Sequence, residues 1–478
     1  MGREINTTEF SNEDFEEFEK RLRDETRILR DWFDNGSFED TEGSCGFELE
    51  AWLTDRNFFP YPENEEFLRR VNNPLVVPEL AKFNVEINST PHAITGNFLS
   101  SMEEELSHIW SLCHKHASDM GGDILAIGIL PQVSNEMLTL DNISAMRRYT
   151  ALNQQVLRLR EGKPLKLNIQ GRDSLKVEHN DVMLESTTTS LQIHLQVSQS
   201  KAIRHYNIAQ ILAAPLVAVS ANSPFLFGKE LWEETRIPIF EQSVEVASFR
   251  DCHGDPIGRV HFGTGFLRNS LFEVFLENLD GFPVLLPLVT DDGSSWLNHL
   301  RLHNGTIWRW NRPLIGLDHR GKPHLRIEHR VTPAGPSITD TIANIPFLVG
   351  LDRYFIAQDE PLEAGFSFDD VKENFYSAAQ KGLQAKIKWV NGKILSMQCL
   401  FLETLIPAAK QGLLAFGVDK SDVSYYIDEV IAPRVLSMQN GAAWQRSFIS
   451  KYGKNFQDMI ISYHENQNKN IPIHSWKV

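Results

Sequence analysis

Two glutamates that alternate with apolar residues stand out near the start of the chain. The stretch 46–50 reads Gly-Phe-Glu-Leu-Glu, and the alternation continues to Leu53. A period of two residues predicts a half-buried strand, with Glu48, Glu50 and Trp52 on one face. Two carboxylates about 7 Å apart on one face repel each other, and a divalent cation that prefers oxygen ligands would relieve the repulsion. Taken alone, such a pair is more often an ordinary solvated strand face.

The same two-faced pattern recurs in three further segments, at 83–88, 188–197 and 324–330. Each segment predicts a strand with one apolar face and one face of groups that can bind metal or phosphate. If the four strands share a sheet, these faces line one surface that holds carboxylates, an imidazole and guanidiniums. The polar residues concerned are Glu86 in the first segment, Gln192 and His194 in the second, and Arg326, Glu328 and Arg330 in the third.

The composition indicates a globular protein. The chain has 478 residues, 42% of them hydrophobic and 10% aromatic, enough for one large domain or for two or three ordinary ones. Its net charge of −16 comes from 47 basic and 63 acidic side chains. A general nucleic-acid binder needs surplus lysine and arginine, so the charge argues against that class, although a small phosphate could bind at a local arginine cluster.

The four cysteines, at positions 45, 113, 252 and 399, are too unevenly spaced to indicate a disulfide framework or a zinc knuckle. Reduced thiols in the cytoplasm are expected. Cys113 is next to His114 and close to His116, but two helical residues two apart do not face the same way, which argues against zinc here. The N-terminus lacks an apolar signal, and the longest apolar run, 208–221, falls short of the roughly 20 residues that span a bilayer. We expect a soluble protein without a membrane partner.

Helical and two-faced strand patterns are interspersed along the chain. This combination predicts an α+β fold with a largely antiparallel sheet. No glycine-rich phosphate-binding motif occurs, so a bound nucleotide would be held by metal ions and arginines. We predict an N-terminal helix within 1–40, a main domain at 41–370 and a helical segment at 371–478 packed on the same body. The finer predictions are helices at 12–35 (capped by Asn12), 101–119, 141–161 (capped by Asp141 or Asn142) and about 203–219, a buried strand at 123–131, and turns at 291–293 and 303–305.

The segments just described resemble the glutamate–cysteine ligase type 2 / carboxylate–amine ligase family. The resemblance implies a glutamine synthetase-like fold, in which a curved, largely antiparallel sheet lines a funnel-shaped active site flanked by helices, with 41–370 as the catalytic domain. One departure is Leu130, where relatives often carry histidine before a proline. The motifs that carry the resemblance follow one another at 46–50, 83–91, 126–131, 148–149, 190–194, 223–236, 308–313, 326–330 and 440–446.

The resemblance also implies an activity and the residues that carry it. The activity is ATP-dependent joining of a glutamate-like carboxylate to an amine, cysteine or another, through an acyl phosphate. Two or three Mg²⁺ ions are implied, with Mn²⁺ as a substitute, and a homo-oligomer is compatible. The implied metal ligands are Glu48, Glu50, Glu79, Glu86, His194 and Glu328. The other implied roles are catalytic for Arg330, Arg312 and Glu328, nucleotide-binding for Arg330 and Arg326, and substrate-binding for Arg236, Arg148, Tyr149 and Gln192.

Alternatives remain open for several of these residues and for the function. Arg326 could form an ordinary cross-strand ion pair, Arg148 and Tyr149 could only pack a helix onto the sheet, and Glu79 could simply begin a regular element. The main rival function is a non-catalytic regulator that binds nucleotide or amino acid. A third possible function is that of a phosphotransferase acting on a guanidino compound, but such an enzyme would lack the motif at 440–446. Competent residues fill every expected ligand position, which argues against loss of catalysis.

Overall fold

The structure is a computed structural model, and it describes residues 5, 7–246, 249–250, 256–291, 296–318 and 320–478. Cys252 and part of the turn predicted at 291–293 lie outside these residues. The thiols of Cys45, Cys113 and Cys399 are free. Among the described residues, no helix is both long enough and apolar enough to cross a membrane.

A curled antiparallel sheet of eight strands forms the centre of the protein, and two-stranded ribbons surround it. The strands, numbered in chain order, are β1 Ser44–Asp55, β2 Val76–Pro78, β3 Asn84–Asn88, β4 His92–Ala93, β5 Gly122–Leu125, β6 Leu165–Gln170, β7 Ser174–His179, β8 Ser190–Val197, β9 Phe225–Leu226, β10 Lys229–Glu230, β11 Phe249–Arg250, β12 Pro256–Ile257, β13 Val260–His261, β14 Trp308–Arg309, β15 Asn311–Leu317, β16 Pro323–Pro333, β17 Lys386–Lys388 and β18 Ile394–Ser396. The central sheet has the order β15-β16-β8-β1-β3-β2, and β4 and β5 also pair with β1.

Helices cover the back of this sheet and form most of the C-terminal part of the chain. They are α1 Asn12–Asp34, α2 Asn64–Val71, α3 Phe98–Asp119, α4 Arg147–Leu159, α5 Ala202–Ser220, α6 Arg236–Ser243, α7 Phe272–Gly281, α8 Asn298–Gly305, α9 Ile338–Ile356, α10 Phe368–Lys381, α11 Met397–Leu400, α12 Ile406–Ala415, α13 Lys420–Val423, α14 Ala432–Leu436, α15 Gly441–Tyr452 and α16 Phe456–Asn468. Two π-helical stretches, Phe401–Leu405 and Ser424–Ile431, continue α11 into α12 and α13 into α14.

The four strands predicted to carry polar faces are neighbours in the central sheet. Their register places Glu50 opposite Glu86 and Glu48 opposite Gln192. His194, two residues after Gln192 on β8, lies opposite Glu328. Because side chains alternate between the two faces of a strand, these groups converge on the front of the sheet. The predicted antiparallel α+β arrangement is therefore confirmed.

The apolar faces of the same strands form the core at the back of the sheet. Phe47 and Leu49 of β1 belong to a large apolar cluster that also contains α5 and α9. Both helices are buried almost all round, which marks them as interior helices. The predicted helix at 203–219 is confirmed by α5, whereas α9 lies in a region that the sequence patterns left mixed, because a helix apolar on every side has no periodic stripe.

Several predicted boundaries are wrong by a few residues. Helix α1 is capped by Ser11 rather than Asn12, since the Ser11 side chain accepts a hydrogen bond from the Asp14 N–H in a reciprocal capping box. The predicted caps at 141–142 lie in a separate 3₁₀ turn, and α4 begins only at Arg147. The strand predicted at 123–131 pairs only as far as Leu125.

Helix α16 contacts the chain just after β5 of the central sheet. The Tyr463 hydroxyl donates to the Ala126 carbonyl at 2.9 Å, and the Gln467 side chain bonds both the N–H (3.1 Å) and the carbonyl (2.8 Å) of the same residue. These contacts join α16 to the central sheet, and the division into 1–40, 41–370 and 371–478 stays a prediction.

Candidate active site

A cavity of about 470 Å³ lies over the polar front of the sheet. All but one of the residues predicted to act in the site line it, although their individual roles stay predictions. The predicted residues that line the cavity are Glu48, Glu50, Glu79, Glu86, Arg148, Tyr149, Gln192, His194, Arg312, Arg326, Glu328 and Arg330.

A first group of metal-capable side chains comes from three adjacent strands, β1, β8 and β16. It consists of Glu48, His194 and Glu328, which offer one ligand atom each within 4.8 Å of one another. His194 Nε2 lies 3.3 Å from an oxygen of Glu48 and 3.8 Å from one of Glu328. Both ring nitrogens of His194 are buried and have no hydrogen-bond partner in the part of the chain that the structure describes. Two carboxylates beside a buried imidazole without a partner fit a divalent cation.

A second group consists only of carboxylates, those of Glu50, Glu79 and Glu86. One oxygen of each lies within 4.8 Å of the others. Burial and the charge of Glu79 raise the pKa of Glu50 to about 7. Burial and the charges of Glu48, Glu79 and Glu50 raise the pKa of Glu86 well above its usual value. A bound cation would reverse this electrostatic cost, so this group also fits a divalent ion with oxygen ligands.

Two arginines keep Glu328 ionised. Arg312, opposite Glu328 in the β15–β16 register, donates from Nε and Nη2 to its two oxygens at 2.8 and 3.0 Å. Arg330 Nη1 donates to one of these oxygens at 3.2 Å. Burial opposes ionisation, but the two guanidiniums hold the pKa of Glu328 well below its usual range. Guanidinium is also a group that can bind phosphoryl oxygens.

Gln192 joins the arginines to the second group. Its amide nitrogen donates to Glu50 at 2.9 Å, and its oxygen accepts a hydrogen bond from Arg330. Glu50 also accepts from the backbone N–H of Ser190 at 2.6 Å and from its hydroxyl at 3.1 Å. These bonds fix the orientation of the Glu50 carboxylate before any ligand arrives.

The first turn of α4 contributes Arg148 and Tyr149 to the wall beside Glu79. Arg148 Nη2 donates to the Tyr149 hydroxyl at 2.8 Å, and this hydroxyl donates to the Pro78 carbonyl at 3.3 Å. Burial and the charge of Glu79 raise the pKa of Tyr149 well above its usual value, so it is a neutral hydrogen-bonding group. Both residues therefore reach the cavity as well as pack α4 onto the sheet.

The two remaining predicted arginines have different positions. Arg326 lines the cavity, and its Nε has no hydrogen-bond partner among the described residues. Arg236 is not among the described residues that line the cavity, and its contact with substrate stays a prediction. Its guanidinium is buried, pairs with Glu234 at 3.0 Å and donates to the Val331 carbonyl at 2.6 Å. These partners hold the Arg236 side chain in place.

Three features of the cavity are absent from the sequence prediction. Glu185, in a 3₁₀ turn just before β8, is half-buried, and burial with the charges of Glu79 and Glu50 raises its pKa well above its usual value. A carboxylate five residues before Ser190 was the only signal for it. Arg301 of α8 also lines the cavity. The third feature is an apolar wall formed by Phe240, Val244, Phe275, Leu286, Leu288, Leu300, Leu302, Trp308 and Leu314.

Two solved structures resemble this fold, although each is only 11% identical in sequence. One is glutamate–cysteine ligase from Francisella tularensis in complex with AMP, with a TM-score of 0.52 over 92% of this chain and 90% of that chain. The other is a bifunctional glutathione synthetase from Pasteurella multocida, with a TM-score of 0.57 over 93% of this chain. This chain spans 55% of that second protein. These similarities confirm the predicted glutamine synthetase-like fold.

Comparison with curated protein sequences finds no significant match. The profile of the family described as glutamate-cysteine ligase family 2 matches residues 44–395. The match covers well over half of the chain and includes every strand of the polar sheet face. The chain therefore belongs to glutamate-cysteine ligase family 2, and with that family it is a ligase that forms C–N bonds.

Proposed function

We propose that this protein is an ATP-dependent ligase that phosphorylates the carboxylate of glutamate or a similar acid and then joins it to an amine. Cysteine is the first amine to test. The observation that carries the proposal is the pair of metal-capable groups on one face of the sheet, flanked by Arg312 and Arg330. The presence of AMP in the F. tularensis ligase supports a nucleotide in the corresponding fold.

Two divalent ions, Mg²⁺ or Mn²⁺, fit the site by donor chemistry. Glu48, His194 and Glu328 would hold one ion, and Glu50, Glu79 and Glu86 the other. Bound Mg²⁺ would neutralise phosphate charge and help to align the reacting groups. Glu185 is close enough to the second group to feel its charge and would add an oxygen or a proton there.

The chain's own residues supply positioning and charge. Phosphoryl transfer depends mainly on these two effects. Arg312 and Arg330 would contact the transferred phosphoryl group, and Arg326 would contact the nucleotide phosphates. The apolar wall is suited to the adenine ring. Arg148 and Tyr149, on the wall beside Glu79, would contact the acid or the amine.

The proposed reaction has two steps. A carboxylate oxygen of the acid attacks the γ-phosphorus of ATP, the bond from that phosphorus to the β,γ-bridging oxygen breaks, and ADP leaves. The amine nitrogen then attacks the acyl carbon, the bond from carbon to the phosphate oxygen breaks, and the amine loses a proton. The products are an amide, ADP and inorganic phosphate. Access of water to the site must be restricted during the reaction, because water would otherwise hydrolyse the acyl phosphate.

The test is incubation of the full chain with ATP, Mg²⁺, glutamate and a panel of amines that includes cysteine. We expect ADP release that requires both an acid and an amine, with the amide detected by mass. Glu328→Gln should abolish release. Glu178→Gln is the matched control, since that carboxylate is 60% exposed on β7. ATP binding without ADP release for any acid–amine pair would contradict the proposal and support a non-catalytic regulator.

A further inference from the structure

A third cluster of side chains that can ligate a metal ion lies outside the cavity, at the end of β5 and β1. Asp123 on β5 places one carboxylate oxygen 2.7 Å from Nδ1 of His114, near the end of α3. Its other oxygen lies 2.8 Å from Nε2 of His464 on α16. One donor atom from each of the three residues lies within 4.8 Å of the other two.

We propose that His114, Asp123 and His464 form a binding site for a zinc-type divalent metal ion that fastens the last helix to the sheet. Two imidazoles and one carboxylate are a donor set that suits zinc and related transition metals. The all-oxygen group of Glu50, Glu79 and Glu86 in the cavity suits Mg²⁺ instead, so that group and this cluster differ in the ion they select.

Access to solvent favours an ion here. The His114 side chain is 40% exposed, whereas those of Asp123 and His464 are 15% and 12% exposed. The cluster is therefore anchored on one side and open to solvent on the other, where a water can complete four-coordination.

The cluster needs only a small adjustment to hold an ion. Donor atoms around tetrahedral zinc with bonds of about 2.1 Å are roughly 3.4 Å apart, so the 2.7 and 2.8 Å contacts must open by about 0.6–0.7 Å. The exposed His114 can provide this by rotation of its side chain. The Asn468 side-chain nitrogen lies 3.0 Å from His464 Nε2, and a half-turn of its amide would present an oxygen toward the ion.

The position of the cluster indicates its role. Asp123 pairs with Thr54 at the end of β1, the strand that carries Glu48 and Glu50. His464 belongs to α16, which lies beyond the residues 44–395 matched by the family profile. An ion at this place would link the C-terminal helix to the central strand of the catalytic sheet. Its role is therefore structural, and it takes no part in the proposed chemistry.

The experiment is zinc binding to the chelator-treated full chain in excess Mg²⁺, which occupies the carboxylate groups of the cavity. The variants are His114→Gln and His464→Gln. The matched control is His92→Gln, because His92 Nε2 also contacts a carboxylate, that of Glu105, at 2.9 Å. Readouts are bound zinc per chain, the absorption of four-coordinate Co²⁺ as a substitute, and the Tm with and without zinc.

We expect the wild type and His92→Gln to hold one more zinc ion per chain than either cluster variant, and the affinity at this site to fall at least tenfold in the variants. Zinc should raise the Tm of the wild type but not that of His114→Gln. Equal zinc content in all proteins, or a Tm that zinc leaves unchanged, would overturn the proposal and leave only a hydrogen-bonded triad. If His464→Gln fails to fold, His114→Gln decides, since its side chain is the exposed one.

Discussion

Replacing Arg312 with methionine tests whether the arginines stabilise the ionised Glu328. Methionine keeps most of the apolar stem and removes the charge. Glu328 is 2% exposed and would lose two hydrogen bonds of 2.8 and 3.0 Å. Arg330 at 3.2 Å would be its one remaining arginine partner among the described contacts. The Arg312→Met variant therefore leaves a buried carboxylate only partly compensated.

Removing one partner of a buried ion pair costs about 3–5 kcal/mol. Arg330 still compensates in part, so we expect a loss near the lower end, about 3 kcal/mol, in the free energy of unfolding measured with urea at pH 7 in EDTA. Arg69→Met is the matched control. Arg69 makes the same two-bond contact with Glu66, both at 2.7 Å, but its side chain is 69% exposed. Water solvates the charges of such an exposed pair, so the free energy of unfolding should fall far less in Arg69→Met than in Arg312→Met.

The pH dependence gives the effect a definite sign. The native pKa of Glu328 is lowered by Arg312 and Arg330 against the effect of burial. Its stabilising contribution is therefore fully present above the unfolded value of about 4.3 and is lost as the pH falls toward the lower native value. The difference in the free energy of unfolding between wild type and Arg312→Met should become smaller in acid. At pH 7, Mg²⁺ should also make it smaller, because the ion replaces the positive charge of Arg312. A loss equal to that of Arg69→Met, or one that does not change with pH, would refute the reasoning.

Three other outcomes are expected. Glu328→Gln should lower ADP release at least about 100-fold with an unchanged far-UV circular dichroism spectrum. The reason is that it removes a proposed ion ligand and the negative charge that pairs with Arg312 and Arg330. Full activity would show that Glu328 is not an ion ligand. Mg²⁺ affinity, measured by calorimetry, should rise from pH 6 to pH 8, because Glu50 (pKa about 7) and Glu86 (pKa raised) must release protons to bind metal; a flat profile would contradict this. Tyr463→Phe should cost about 0.5–1.5 kcal/mol of unfolding free energy, since the Ala126 carbonyl loses one donor and keeps the Gln467 amide; no change would show that this contact does not hold α16.

The strands of the site were predictable because their pattern has a short period. Alternation at 46–53 and 324–330 requires no knowledge of distant residues, since the pleat of a strand alone sends odd and even side chains to opposite faces. Glu48, His194 and Glu328 could therefore be grouped before their pairing was known. The helix at 338–356 could not be recognised in the same way, because burial on every side removes the contrast between faces.

Residues outside this alternation were less predictable. Arg236 belongs to a segment that resembles the family, and its guanidinium pairs with Glu234; no local pattern distinguishes an arginine that contacts a ligand from one that supports the site. Glu185 lies in an irregular turn, where side-chain direction depends on the backbone path. The apolar wall is assembled from segments between 240 and 314, each of which alone resembles ordinary core.

By itself, the sequence determined which side chains face the front of the sheet and which chemistry they can perform. Periodicity and residue type are local properties, and a carboxylate, an imidazole or a guanidinium has the same ligand preference wherever it lies. Only the tertiary structure decided the pairing, which puts Glu50 opposite Glu86 and Arg312 opposite Glu328. Register depends on the packing of the whole apolar face against the helices behind it. The same packing brings His464 into contact with Asp123. These two residues are far apart in the chain, so no local sequence pattern could predict the contact.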